Sequence, residues 1–243
     1  MTDSKANKAR LILVIGGTSG TGKLVAEQLL ARGERVRLGA RDLEKARARF
    51  GDKAELVELD LTRPGEAFDR ALEGVTGLVF TAAIPGAAGE ALVKSTEYGG
   101  VVATVDAAHR AGFSGRLVYM TAIGIHHRTF KMRMLGLLKW NGVHWRQEAE
   151  RALTESGLDV AIVRAARLTD SPAGQSGLAV VPGDIPSRFG PVVPRADVAR
   201  VILATLEAPA PLRDLCVYTD EGTAPDDVTL QRLIQSGSPA TTR

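Results

Sequence analysis

Residues Leu11 to Leu30 read LILVIGGTSGTGKLVAEQLL, and few folds can hold that order of elements. The five residues Leu11 to Ile15 are aliphatic without a break, the mark of a central parallel strand buried on both faces. Gly16, Gly17, Gly20 and Gly22 follow at once. Beyond them Leu24, Val25, Leu29 and Leu30 recur at helical spacing, with Lys23, Glu27 and Gln28 left for solvent. Glycines permit a sharp turn and let bare backbone approach a ligand; a helix beginning there presents free N–H groups and the positive end of its dipole. Strand, glycine turn and helix in that order make a cradle for a pyrophosphate, and so for a dinucleotide.

The glycine spacing narrows this further. Gly16, Gly20 and Gly22 give G-x-x-x-G-x-G rather than G-x-G-x-x-G, with Ser19 where many proteins of this pattern carry another glycine. The stretch resembles the cofactor turn of short-chain dehydrogenases/reductases. That resemblance implies cofactor contacts from Gly16, Thr18, Ser19, Gly20, Thr21 and Gly22. A second likeness lies at AERALTESGLDVAIVRAARLTD, Ala149 to Asp170. It resembles the atypical, NAD(P)H-binding members of that family, the NmrA-like and flavin-reductase-like group, in which a helix ending Ser-Gly-Leu-Asp leads to a strand ending Arg-Pro-Gly. Here Ala165 and Ala166 replace the proline and glycine. The start Arg195-Ala196-Asp197-Val198-Ala199 is a further family feature, with a structural role.

Taken in order, Arg35 to Ala40 reads as a second strand, followed by the charged helix DLEKARARF. In a sheet of this kind the end of the second strand reaches the adenosine ribose, where an acid would bind the 2′-hydroxyl and an arginine a 2′-phosphate. Arg41 therefore points to NADP(H) in preference to NAD(H); the alternative is a solvated arginine, with Asp42 capping the next helix. Ala54 to Leu59 forms a third strand ending in Asp60-Leu61, placed to meet the adenine, although a turn-forming aspartate satisfies the same pattern. Val75 to Ala83 is a fourth strand, and Ala82 and Ala83 leave backbone room beside the cofactor. A long helix spans about Ala91 to Ala111, and Arg116 to Thr121 makes a fifth strand. Thr121 holds the place from which the family hydrogen-bonds the reacting carbonyl, whereas Tyr119, inside the strand, reads as core.

Ile123 to Arg146 is the least ordinary segment. No acidic residue occurs from Ala107 to Gln147, while His109, His126, His127, His144, Trp140 and Trp145 all fall there. Two readings stand: a basic cover over a flat, apolar substrate, or a surface buried against a second copy, hence a homodimer. Most of the family pairs a tyrosine with a lysine four residues later, the lysine lowering the tyrosine pKa. Aligning the helix through AERALTESGLD puts that lysine at Arg146 and that tyrosine at Gly142, so the usual proton donor is missing. His127 and Lys131 repeat the spacing, but too soon after Thr121 for the usual helix. Catalysis then falls to Thr121 and Arg146. The adjacent histidines are not a metal spacing, and no metal is expected.

Leu178 to Pro194, rich in Gly and Pro, reads as substrate-side loops with one short strand; Val198, Ile202 and Leu206 mark a helix, and Leu215 to Tyr218 an edge strand. The expected fold is α/β, a Rossmann-type doubly wound parallel sheet in a single domain over 10–235, with tails at 1–9 and 236–243 and insertions around 123–146 and 170–194. First-half strands take the order 3-2-1-4-5. At 243 residues the chain can bury a large core without disulfides. A formal charge of +3 is too small to argue for nucleic acid, and the five-residue apolar run is too short for a membrane span. The single cysteine, Cys216, suits a reducing cytoplasm and reads as a small buried hydrophobe. The expected function is NADPH-dependent hydride transfer to a quinone, enone, ketone or flavin-like ring. The alternatives are a non-catalytic NADP-binding redox regulator, and an isomerase or dehydratase with tightly bound cofactor.

Overall fold

The computed structural model describes residues 10–84, 88–127, 142–186, 192–209 and 214–236. Its strands are β1 (Leu11–Ile15), β2 (Arg35–Ala40), β3 (Glu55–Glu58), β4 (Gly77–Phe80), β5 (Arg116–Ala122), β6 (Asp159–Ala165), β7 (Arg167–Thr169), β8 (Gly177–Pro182), β9 (Val192–Pro194) and β10 (Asp214–Asp220). The helices are α1 (Gly20–Ala31), α2 (Leu43–Phe50), α3 (Glu66–Leu72), α4 (Glu90–Val93), α5 (Gly100–Arg110), α6 (Gly142–Glu155), α7 (Arg195–Glu207) and α8 (Asp227–Ser236).

Eight strands form one sheet in the order β3-β2-β1-β4-β5-β6-β10-β8, parallel throughout except for the last pair. The doubly wound arrangement and its first-half order are those expected from the sequence. All five residues of β1 are buried because each face of the strand meets a separate core. Ile12 and Val14 pack with Val25 and Leu29 of α1 and Val198, Val201 and Ile202 of α7. Leu11, Leu13 and Ile15 pack on the other side with Phe68, Leu72, Val101, Val105 and Leu153. Side-chain alternation along a strand sends these two sets to opposite faces.

Three details go beyond expectation. The long helix expected after β4 is present and continuous, made of α4, a π turn over Lys94–Gly99, and α5. Gly99 and Gly100 fall where the π turn passes into α5, and a Cβ on Gly100 would stand 2.9 Å from Leu61 Cβ. The Gly- and Pro-rich stretch contributes β8 to the main sheet, antiparallel to β10, so β10 is interior and β8 is the edge. The run Leu178-Ala179-Val180-Val181 is the short strand expected in this stretch; the difference lies in β10, which was expected at the edge. Helix α8 was not anticipated; Leu230 and Ile234, four residues apart, bury one stripe of it in the α1–α7 core. Separately, β7 and β9 pair in a two-stranded parallel ribbon that leads into α7.

Candidate functional site

A cavity of about 570 Å³ opens at the carboxyl ends of the strands, between β1 and β4, where the winding of the sheet reverses direction. Gly16, Thr18, Ser19, Gly20 and Thr21 form one wall of it. Gly16 adopts φ +85, and a Cβ there would lie 2.7 Å from the Ala82 nitrogen. The turn can therefore run against the end of β4 only without a side chain. Gly20 adopts φ +54, yet a Cβ there would meet only Arg195 Nε, at 3.9 Å. The space in front of Gly20 is open. Gly22 differs from its expected place: it does not line the cavity, and a Cβ on it would stand 2.4 Å from the Gly16 carbonyl oxygen. Its part is to let α1 pack under the turn.

Helix α1 starts without a cap. Ser19 holds the N-cap position in extended conformation, its side chain makes no capping bond, and the first turn contains no acidic residue. Intrahelical bonding begins with Lys23 N–H to the Ser19 carbonyl at 3.1 Å, so the earlier N–H groups await an acceptor. Thr21 is buried, and its hydroxyl has no hydrogen-bond partner among the described residues. An uncapped helix start, an open glycine and an unpartnered hydroxyl together fit a phosphate group.

At one end of the cavity lie Arg41, Asp60 and Leu61. Asp42 caps α2, its Oδ1 accepting from Lys45 N–H at 2.9 Å. Arg41 is exposed and makes no side-chain hydrogen bond or ion pair among the described residues. Asp60 Oδ1 accepts from the Thr62 N–H at 2.9 Å and the Thr62 hydroxyl at 2.7 Å. Those bonds hold its carboxyl below the ordinary value of 3.8. Asp60 is thus a turn former that also lines the cavity.

At the other end, Ala82, Ala83, Thr121 and Arg146 meet Thr96, Glu97 and Tyr119. Thr121 is buried and its Oγ1 lacks a hydrogen-bond partner among the described residues. The phenol of Tyr119 adjoins it without completing a bond of normal geometry, and burial pushes that phenol well above its ordinary value of 10.0. Tyr119 is core, as expected, its ring 5.8 Å from that of Phe80.

Arg146 reaches the site but not as a free cation. Its Nε donates to Glu97 Oε2 at 2.7 Å and its Nη2 to Glu97 Oε1 at 3.0 Å. Glu97 Oε1 also accepts from Ile84 N–H at 3.0 Å. One buried carboxylate therefore ties the loop after β4, the π turn and α6 together. Sequence reasoning missed Glu97. The signal was an acid four residues before Val101, on the stripe that α5 buries. The π turn itself is a local irregularity of the kind found at functional sites.

Other described residues of the unusual segment make contacts of their own. Trp145 stacks on Tyr98 with ring centroids 5.7 Å apart and has Lys94 Nζ 4.7 Å from its ring centre. His126 Nε2 contacts Glu150 Oε2 at 2.8 Å, and that carboxylate also accepts from Arg164 at 2.6 Å. His127 Nε2 contacts the Asp184 carbonyl at 3.3 Å. Neither histidine lines the main cavity. The expected cover from Phe130 to Trp140, including Lys131, lies outside the described residues. Among the described residues no metal-binding cluster occurs and no helix is long and apolar enough to cross a membrane. Cys216 is buried, and burial pushes its thiol up to about 12.

A family model for NAD(P)H-binding proteins matches residues 16–209. The chain belongs to this NAD(P)H-binding family. Several solved structures share its fold. A putative NAD-dependent epimerase/dehydratase from Bacillus halodurans superposes with a TM-score of 0.76 at 18% identity, covering 94% of this chain and 100% of that one. An anaerobillin reductase, ChuY, from Escherichia coli O157:H7 gives 0.72 at 22% identity, over 89% and 100%. A short-chain dehydrogenase/reductase from Veillonella parvula, in complex with NADP, gives 0.69 at 17% identity, over 88% and 96%. In sequence, Protein TIC 62, chloroplastic, of Arabidopsis thaliana is 27% identical over 233 residues, 86% of this chain and 35% of that protein. The chain spans 21% to 35% of the length of the curated relatives it matches.

Proposed function

We propose that this NAD(P)H-binding protein is an NADPH-dependent reductase of small organic acceptors, with quinones, enones or flavin-like rings favoured over simple ketones. One observation carries the reading: a single cavity joins an uncapped helix start and the unpaired Arg41 to a buried, unpartnered Thr121 hydroxyl. The wall from Gly16 to Thr21 would take the pyrophosphate on backbone N–H groups. Arg41 would take the 2′-phosphate, with Asp42 engaged as a helix cap and Asp60, at the same end, bonded to Thr62. Bound there, the cofactor supplies a hydride. Thr121 would orient the acceptor's oxygen. Arg146, neutralised by Glu97, would fix the wall beside the reacting ring rather than stabilise an oxyanion by itself.

Among the described residues this end has neither a readily ionised phenol nor a Tyr–Lys pair to give a proton near neutral pH. The Tyr119 phenol holds its proton too tightly, and the Tyr–Lys pair is replaced by Gly142 and Arg146. Acceptors that need little proton donation fit this chemistry. The same observation favours a second reading, an NADP-binding regulator without turnover. We further propose a small-molecule substrate without nucleic-acid or membrane partners, and a homodimer. A reducing compartment such as the cytoplasm suits the lone buried cysteine; the chloroplast of the TIC 62 relative would suit it equally.

Following NADPH absorbance with a panel of acceptors tests the reading. Steady consumption with quinones or enones, at background with aliphatic ketones, is expected. NADPH binding with no turnover across the panel would overturn catalysis and leave the regulator.

A further inference from the structure

The cations of the cavity are unevenly placed. Its lining contains three arginines, Arg41, Arg146 and Arg195. Arg41 stands at the ribose end, and Arg146 is neutralised by Glu97. A pyrophosphate on the glycine turn would bring two negative charges to the α1 N-terminus, and Arg195 is the lining cation nearest to that point. Arg195 is the first residue of α7, which packs along α1, so its guanidinium stands over the open side of Gly20, with Nε 3.9 Å from where a Cβ would be. At present its Nη1 donates to Asp170 Oδ1 at 2.7 Å, and Asp170 is 90% exposed. Exposed pairs of this kind hold weakly. Asp170 takes one bond from this guanidinium and sits in solvent, whereas a phosphate held against the turn can take two parallel charge-assisted bonds from it.

We infer that Arg195 is a pyrophosphate-binding residue restrained by Asp170, which releases it when a dinucleotide occupies the glycine turn. The inference rests on the dinucleotide reading above and adds a residue that the glycine motif does not contain. The exchange has a structural reach. Asp170 directly follows β7, Arg195 directly follows β9, and the two strands are paired. Leu168 of β7 lines the same cavity. Moving Arg195 from Asp170 to the phosphates therefore loosens one tie between the β7 exit and α7, beside the cavity wall formed by Leu168.

Calorimetric titration of the intact protein with NADPH and with adenosine 2′-monophosphate, which lacks the pyrophosphate, tests this. Arg195→Ala should weaken NADPH binding by about tenfold or more and leave adenosine 2′-monophosphate unchanged. Asp170→Asn, which removes the competing anion, should tighten NADPH by about two- to fivefold. In the Asp170→Asn background Arg195→Ala should still weaken NADPH, which separates a lost contact from an unmasked carboxylate. Equal NADPH affinity in Arg195→Ala, equal losses for both ligands, or an effect that vanishes in the Asp170→Asn background would each overturn the role of Arg195. Wild-type protein that binds neither ligand would overturn the dinucleotide reading, and the Arg195 role with it.

Discussion

The two ends of the cavity are built by different means. The phosphate and ribose end gathers separate segments, each shaped by bonds or turns of its own: the turn of consecutive residues from Gly16 to Gly20, Arg41 just after β2, and Asp60 bonded to Thr62 two residues on. The opposite end is assembled across the chain. Glu97 and Arg146 are 49 residues apart in sequence, and Thr121 comes from a third element. No ion pair between distant elements such as Glu97–Arg146 shapes the turn or the Asp60 carboxylate among the described residues, while the second end depends on α6 docking against the π turn.

That difference sets the largest expected effect. Arg146→Ala leaves the Glu97 carboxylate buried with only the Ile84 N–H, and loss of one partner of such a pair costs about 3 kcal/mol of stability. Denaturant midpoints should fall accordingly, and Glu97→Gln in the Arg146→Ala background should recover part of the loss. Turnover should fall with Arg146→Ala and with Thr121→Ala, and less with His127→Ala, whose ring lies outside the cavity. A midpoint unchanged in Arg146→Ala would show that the pair does not hold this end together.

Gly22→Val is next. Its Cβ would stand 2.3 Å from Thr81 Oγ1 and 2.4 Å from the Gly16 carbonyl oxygen, so overpacking should cost at least about 1–3 kcal/mol in a chemical melt. A melt like that of wild type would mean that the turn and α1 are not packed as closely as described.

The same contrast explains what could be read in the sequence. Strand order, the glycine turn, the Arg41 position and the buried Cys216 follow from neighbours in the chain, where period and turn chemistry act directly. The Glu97–Arg146 pair does not, because neither residue carries a local mark of its partner; only an acid on an apolar stripe hinted that one existed. Asp60 was legible as two alternatives, and the structure shows both together: a turn bonded to Thr62 and a place in the cavity wall. The helix from Ala91 to Ala111 was legible, but the π turn inside it was not, because helical spacing continues on either side of Gly99-Gly100. The short strand β8 was legible in the run Leu178 to Val181, but its place at the edge of the main sheet was not, because that is set by pairing with the distant β10.

A smaller effect sharpens the ribose end. Arg41→Ala should weaken NADPH by about 1–3 kcal/mol and leave NADH nearly unchanged, since a charge-assisted bond to the 2′-phosphate is lost. Calorimetry with both cofactors checks it. Equal wild-type affinity for the two would remove the case for NADP(H).

The smallest effect concerns acid. Because the Thr62 bonds lower the Asp60 pKa in the folded state, its contribution to stability is present above about pH 3.8 and is lost as pH falls below that value towards the folded pKa. Asp60→Asn should therefore flatten this part of the stability profile, read from denaturant midpoints between about pH 5 and 3. An unaltered profile would place the acid sensitivity elsewhere.

The central claim, that a dinucleotide lies across the β1–α1 turn, is tested most directly at Gly20. That residue lines the cavity, adopts φ +54 and faces open space, so a β-branched side chain there fills the place of a phosphate and resists the backbone angle. NADPH titration of Gly20→Val beside wild type, with circular dichroism on both, is the measurement. The account predicts a native spectrum for both proteins, saturable NADPH binding by wild type and none by Gly20→Val; a native spectrum with unchanged NADPH affinity in the variant would contradict it.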